Sequence, residues 1–346
     1  MEIPPEAGML EGVTKPTAPT PYPYIFNGEY VKIALYKDPD NFPYKNDYAV
    51  ASVCNPGFSA SGRPNSITTE GLIEYSRALD VLRGLDVDYA VVNWIGPTTG
   101  FGADLNEFHE RLQDRQGFST WWGEHLDRAV EIALKAKGIP YHTMSILHGA
   151  RETRDDFLNL RYATGVFGGS VELPLAFDEV FTDDRTVLCY PESGLSVVPG
   201  LGGVALTYER AGRHNTEMFV TTAGSITGET AKKMGLADIV IPRSIGTLTA
   251  VRERIASGLK PQHERPQYEL AGDEIDISER RAEPAPLALR RIPQMMDEIE
   301  VAYQRNGIEG ALAVNRNVCY ELGLSEDFRE AVMAFKEKRA PILTGK

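Results

Sequence analysis

A chain of 346 residues that is 42% hydrophobic and 25% charged can bury a sizeable core in one large domain or two. Its 49 acidic against 36 basic side chains, a net charge of -13, argue against a broad nucleic-acid surface, so an anionic ligand would need a local basic pocket. Cys54, Cys189 and Cys319 are too scattered for a disulfide framework or a metal-binding pair. With neither a basic-then-apolar leader nor a run near the ~20 residues of a membrane span, a soluble, cytoplasmic protein is expected, without membrane or nucleic-acid partners.

Residues 1–23, rich in Pro, Thr and Gly, read as an extended arm that orders against a neighbouring subunit. Tyr30 to Tyr36 and Tyr48 to Val53 read as strands. Thr68 to Leu85 spaces Leu72, Tyr75, Leu79 and Leu82 as a helix, and Tyr89 to Ile95 (YAVVNWI) is a buried strand. Strand, helix and strand in that order predict a parallel crossover unit. The pattern continues with a helix over Thr120 to Lys137, a strand over His142 to Leu147, a short helix over Val171 to Phe177 and a strand over Glu179 to Thr182. Helices follow at Val204 to Ala211, Thr216 to Thr222 and Gly228 to Met234, and a strand at Asp238 to Ile241. These elements place a core at residues 24–259. The polar, proline-bearing stretch 260–286 reads as a linker, and 287–346 as a C-terminal helical subdomain of two or three helices.

Two glycine turns follow strands and lead into helices: TTGFGADL after Ile95, and GVFGGS over residues 165–170. They can aim the backbone N–H groups of Phe101 and Gly169 at one oxygen, each such donor contributing roughly 3 to 4 kcal/mol to a transition state. Glu172, three residues past Gly169, either leans back towards that turn or simply favours the helix dipole. Glu192, after Pro191, is either a second acid or an exposed loop carboxylate. Rival chemistries lack their signatures. GVFGGS is not GxGxxG, nothing matches GxxxxGK[ST], FSASGR is not GxSxG, and the six histidines have no ligand spacing, so no metal is expected.

The motifs in order resemble the crotonase (enoyl-CoA hydratase/isomerase) superfamily. GGSVELPLAFD is similar to GGGxELALACD, and PESGLSVVPGLGGVALTYERAG to PEIxLGxxPGxGGTQRLxRxxG. TTAGSITGETAKKMGLADIVIP resembles TGxxIxAxEAxxxGLVxxVVP, AVVNWIGPTTGFGADLNEF resembles VVLTGxxxxFxAGADLKEM, and AFKEKRAPILTGK resembles FxEKRxPxFxGK. The resemblance implies an α/β fold of stacked ββα turns (the ClpP/crotonase fold) with a C-terminal helical trimerisation region, in homotrimers or hexamers. It implies an acyl-CoA substrate and no cofactor beyond the CoA of the thioester.

By position, the resemblance makes Phe101 and Gly169 the oxyanion donors and Glu172 and Glu192 the acid/base pair of a hydratase. Ala103, Asp104, Phe335 and Lys338 fall at CoA-binding positions, with the tail reaching the nucleotide of a neighbouring subunit. The chain departs from the pattern in an insertion at 150–165, RETRDDFLNLRY. It is either a solvated surface segment or a lid in which Arg151, Arg154 and Arg161 meet a substrate carboxylate or CoA phosphate. Trp121 and Trp122, on the helix flanking the acyl pocket of that family, are either core packing or walls for a flat group. The expected activity is hydration or dehydration of an α,β-unsaturated, cyclic or aromatic acyl-CoA. The alternatives are a ring-opening or C–C-bond hydrolase or lyase on a β-oxo acyl-CoA, a cofactor-free acyl-CoA dioxygenase, and a CoA-binding scaffold without turnover.

Overall fold

The computed structural model describes residues 24–36, 46–53, 66–94, 102–147, 165–242, 245–278 and 283–346. In chain order, β1 (Phe26–Asn27), β2 (Val31–Tyr36), β3 (Tyr48–Val53), α1 (Thr69–Arg83), β4 (Tyr89–Trp94), α2 (Leu105–Arg111), α3 (Arg115–Lys137) and β5 (His142–Leu147) form the first half. β6 (Gly165–Phe167), α4 (Gly169–Glu172), β7 (Glu179–Asp183), β8 (Val187–Cys189), α5 (Gly203–Thr222), β9 (Ser225–Thr227), α6 (Gly228–Lys233), β10 (Ile239–Ile241) and α7 (Thr247–Ser257) follow. α8 (Pro286–Gly323) and α9 (Glu326–Glu337) close the chain.

Among the described residues, one sheet runs β1-β2-β3-β4-β5-β7-β10 and a second, small one β6-β8-β9. β2 and β3 are antiparallel, with Tyr36 opposite Tyr48. From β3 the large sheet is parallel, Tyr48 pairing with Tyr89, Tyr89 with His142 and Met144 with Glu179. Both faces are covered, as in parallel sheets generally. Ala90 and Val92 point into the large core with α1, α3, α5 and α8, while Tyr89 and Val91 meet Val251 and Ile255 of α7 on the other face. That explains the unbroken apolar run of β4.

Local chemistry sets the helix starts. Thr68, Asp104 and Asp114 cap α1, α2 and α3 by accepting from Gly71, Asn106 and Gln116 N–H at 3.1, 2.9 and 3.2 Å. The Asp114 cap is why α3 begins at Arg115 rather than Thr120. The helices expected at Val204–Ala211 and Thr216–Thr222 are both present, joined into α5 across a kink at Gly212 (φ 79°, ψ 175°). α8 breaks likewise at Asn306 and Gly307. Although polar, the stretch after α7 is tied to the body. Leu270 N–H donates to Asn215 Oδ1 at 2.7 Å, and His263 Nδ1 lies 2.8 Å from Asp238 Oδ1. Leu270 and Ile275 join the same core as the strands and as Ala288 and Ile292 of α8.

Candidate active site

The site forms where β6 hands over to α4. Gly168 takes a conformation (φ 53°, ψ -129°) in which a side chain would be strained, and its N–H donates to Cys189 O on β8 at 2.9 Å. Its carbonyl accepts from Val171 and Glu172 at 2.7 and 3.2 Å, winding α4 at once. The Gly169 N–H, at the first helical position, has no acceptor among the described residues. The second glycine turn abuts the first. A Cβ on Gly102 would lie 3.1 Å from Phe167 O and 3.3 Å from Gly169 N. Phe101, the other expected donor, lies outside the described residues, as do 1–23 and most of the 150–165 insertion.

Both glutamates converge on these turns. Glu172 is 1% exposed, and its Oε2 accepts from Leu201 N at 2.6 Å and Gly203 N at 2.7 Å, the latter at the N-terminus of α5, where the helix dipole favours an anion. Burial pushes its carboxyl up to about 8, against the amides of Gly203, Leu201 and Gly200, which hold it down. Glu192 sits in the 3-10 turn Pro191–Leu195 with its Oε1 against Gly168, where any added Cβ would strike it. Its Oε2 is buried without a partner. Burial first, and then the charge of Glu172, raise its carboxyl well above the usual range. Two like groups therefore compete for ionisation, and the amides favour the anion at Glu172. Such a pair can hold one proton and accept another.

The expected CoA positions are brought near this turn by α9. Ala103 bridges Ile67, and Asp104 caps α2 and accepts from Ser66 Oγ at 3.0 Å. Lys336 Nζ on α9 donates to Asn106 Oδ1 at 2.7 Å within the same chain. Phe335 beside it is 43% exposed, and Lys338 ends the helix in a left-handed conformation. Trp121 and Trp122 are committed elsewhere. They pack with Phe108, Phe118, His125 and Phe328, and their indole N–H groups donate to Thr69 Oγ1 (3.1 Å) and Cys319 O (3.3 Å). The packing reading of these rings holds, and the acyl-wall reading loses its basis. His125, buried among them, is lowered to about 4 by burial and by Arg128.

The sequence reading missed the Leu201 and Gly203 amides, the Lys336–Asn106 link and Asn315, which meets the start of α5. The glycines of PGLGG were the available signal for the amides. A separate cavity of about 180 Å³ near Asp238, Arg254 and His263 holds no free acid, since Arg254 grips Glu179 and His263 meets Asp238.

No family model matches the chain. An enoyl-CoA isomerase/hydratase from Mycosarcoma maydis is 30% identical over 256 residues, 72% of this chain and 74% of that protein. A probable mitochondrial enoyl-CoA hydratase from Arabidopsis thaliana is 28% identical over 182 residues, 51% of this chain and half the length of that protein. Among solved structures, an enoyl-CoA hydratase from Rhodobacter sphaeroides aligns over 91% of this chain and 93% of its own, with TM-score 0.62 and 19% identity. One from Mycobacterium avium subsp. paratuberculosis covers 90% and 98%, with TM-score 0.58 and 16% identity. These likenesses give the fold.

Proposed function

The chain belongs to the crotonase (enoyl-CoA hydratase/isomerase) superfamily of enzymes, and from that premise we propose that it adds water to, or removes it from, the double bond of an enoyl-CoA thioester through Glu172 and Glu192. The observation that carries this is the pair of buried carboxyls, one held by amides and one with Oε2 unpartnered among the described residues, flanking a glycine turn whose Gly169 N–H has no acceptor among those residues. In hydration, the Glu172 carboxylate takes a proton from water as its oxygen bonds to the β carbon. The electron pair of the double bond moves into an enolate, whose oxygen the Gly169 and Phe101 amides stabilise, and protonated Glu192 returns a proton to the α carbon. Dehydration is the reverse. Each carboxyl ends with the proton state the other began with, and water resets them.

CoA would lie along the Ala103–Asp104 turn with Phe335 and Lys338 at its nucleotide end. Homotrimers or hexamers are part of the same reading, checked by light scattering, and cytoplasmic placement is checked by fractionation. Among the described residues, no helix is long and apolar enough to cross a membrane. For the acyl group, no side chain of the described site supports a cyclic or aromatic ring, so a panel of straight, branched and cyclic enoyl-CoA esters decides it. Purified protein is expected to consume the conjugated thioester and to lose activity in Glu172→Gln and Glu192→Gln. No turnover across the panel, or full activity in both variants, would refute the reading.

A further inference from the structure

We infer that Asn315 of α8, which belongs to neither glycine turn nor acid loop, is a positioning residue for Glu172; this rests on the role proposed above for that glutamate. α5 begins at Gly203 after Gly202, a cap without a side chain, so its first amides would be orphaned in a dry interior. Two side chains from other elements divide them. Glu172 takes Gly203 N–H, and Asn315 Oδ1 takes the next two, Val204 N at 3.0 Å and Ala205 N at 3.2 Å. Asn315 Nδ2 also donates to Pro199 O at 2.8 Å, so one fully buried amide clamps both ends of the segment 199–205. Within that segment lie the Leu201 and Gly203 amides that hold the carboxylate. One turn along the same helix, Cys319 Sγ meets Val198 O at 3.2 Å, leaving Asn315 as the part of this contact that orients N–H groups.

Without the clamp, two buried amides lose their acceptor, the first turn of α5 loosens and the bonds to Glu172 weaken. A weaker grip raises the carboxyl further, so the acid limb of the pH–rate profile moves to higher pH. The experiment compares the parent, Glu172→Gln, Asn315→Ala and Asn315→Asp, by steady-state hydration across pH and by hydrogen exchange of amides 200–205. Asn315→Ala is expected to keep KM within about twofold, lose kcat about tenfold or more and shift the limb up by about one unit. Its 200–205 amides should exchange faster. Asn315→Asp keeps the accepting oxygen and, while protonated, an O–H donor to Pro199 O, so it recovers amide protection and most of kcat in the pH range where it stays protonated.

A folded Asn315→Ala with parental kcat, or with reduced kcat but a parental limb, overturns the inference, as does an aspartate variant no better than alanine. If the alanine variant does not fold, the aspartate variant decides alone: retained protection and activity support the role, and loss of either overturns it. A parent without hydratase activity, or an unaffected Glu172→Gln, overturns the functional reading and this inference with it. An inactive Glu172→Gln beside an unaltered Asn315→Ala overturns the inference alone.

Discussion

Gly203→Ala displaces the buried acid from its amides. A Cβ at Gly203 would lie 2.5 Å from Glu172 Cγ and 2.7 Å from its Oε2, so the carboxylate must leave at least one of its two amides. The backbone there is helical, but the added methyl crowds a buried side chain, so the thermal midpoint should fall by the equivalent of about 1–3 kcal/mol and the rates are read on the folded variant. A hydrogen bond to a charged group contributes about 1.5–3 kcal/mol. At 1.36 kcal/mol per pH unit, its loss raises the Glu172 carboxyl by about one to two units. Because burial already holds this carboxyl above the usual range, each further unit lowers its ionised fraction at pH 7 about tenfold. The expected result is a kcat/KM at pH 7 lower by about 10- to 100-fold, with the acid limb displaced upward by the same one to two units. Loss of the enoyl chromophore, followed from pH 5 to 10, reads both. A folded variant with an unmoved limb and undiminished rate would refute the reasoning.

Other perturbations test neighbouring parts. Glu192 binds its proton more tightly folded than unfolded, so between the ordinary carboxylate range and its raised value the fold loses stability as pH rises; Glu192→Gln should melt higher than the parent, by a margin that grows with pH. A margin flat with pH in parallel melts would contradict this. Arg254 pairs through Nε (3.0 Å) and Nη2 (2.7 Å) with Glu179, whose side chain is 1% exposed, so Arg254→Ala should lower stability by about 3–5 kcal/mol. Denaturant titration checks it, and the pair Arg254→Met with Glu179→Leu should recover most of the loss. Trp121→Ala should cost about 3–5 kcal/mol of stability and leave the ratio of kcat/KM between cyclic and straight-chain enoyl-CoA esters unchanged. A changed ratio would return the ring to the acyl pocket.

β2, β3, β4 and β5 of the large sheet were legible because β-branched and aromatic runs of six residues are bounded by turn residues, and β3 and β5 have the expected ends, whereas the two-residue β1 was missed. β6, β8 and β9 are three residues each, too short to show a period, and only pairing among themselves makes them strands. α7 was missed because, among its described side chains, Val251 and Ile255 with Ala250 beside them mark the buried face, a weak signal inside a polar stretch. The two acids stood out by their place in ordered motifs. What holds them did not, because Leu201 and Gly203 act through backbone N–H groups, which have no letter in the sequence, and Asn315 lies more than a hundred residues away. The polar letters of 260–278 did not show its anchors: His263 and Arg265 side chains, Tyr268 O and Leu270 N–H reach partners on α5 and beside β10.

The aromatic cluster doubles as an optical reporter. Of the chain's three tryptophans, Trp122 lies against Phe328 of α9, bonds Cys319 O and packs beside Gly200, and Trp121 packs beside Trp122. Their emission therefore senses whether the two closing helices are seated on the loop that grips Glu172. The imidazole between them is neutral above about pH 4, so it does not quench them as a cation across the working range. Loosening at the far end of the chain can thus be watched by fluorescence in the unlabelled protein, separately from catalysis.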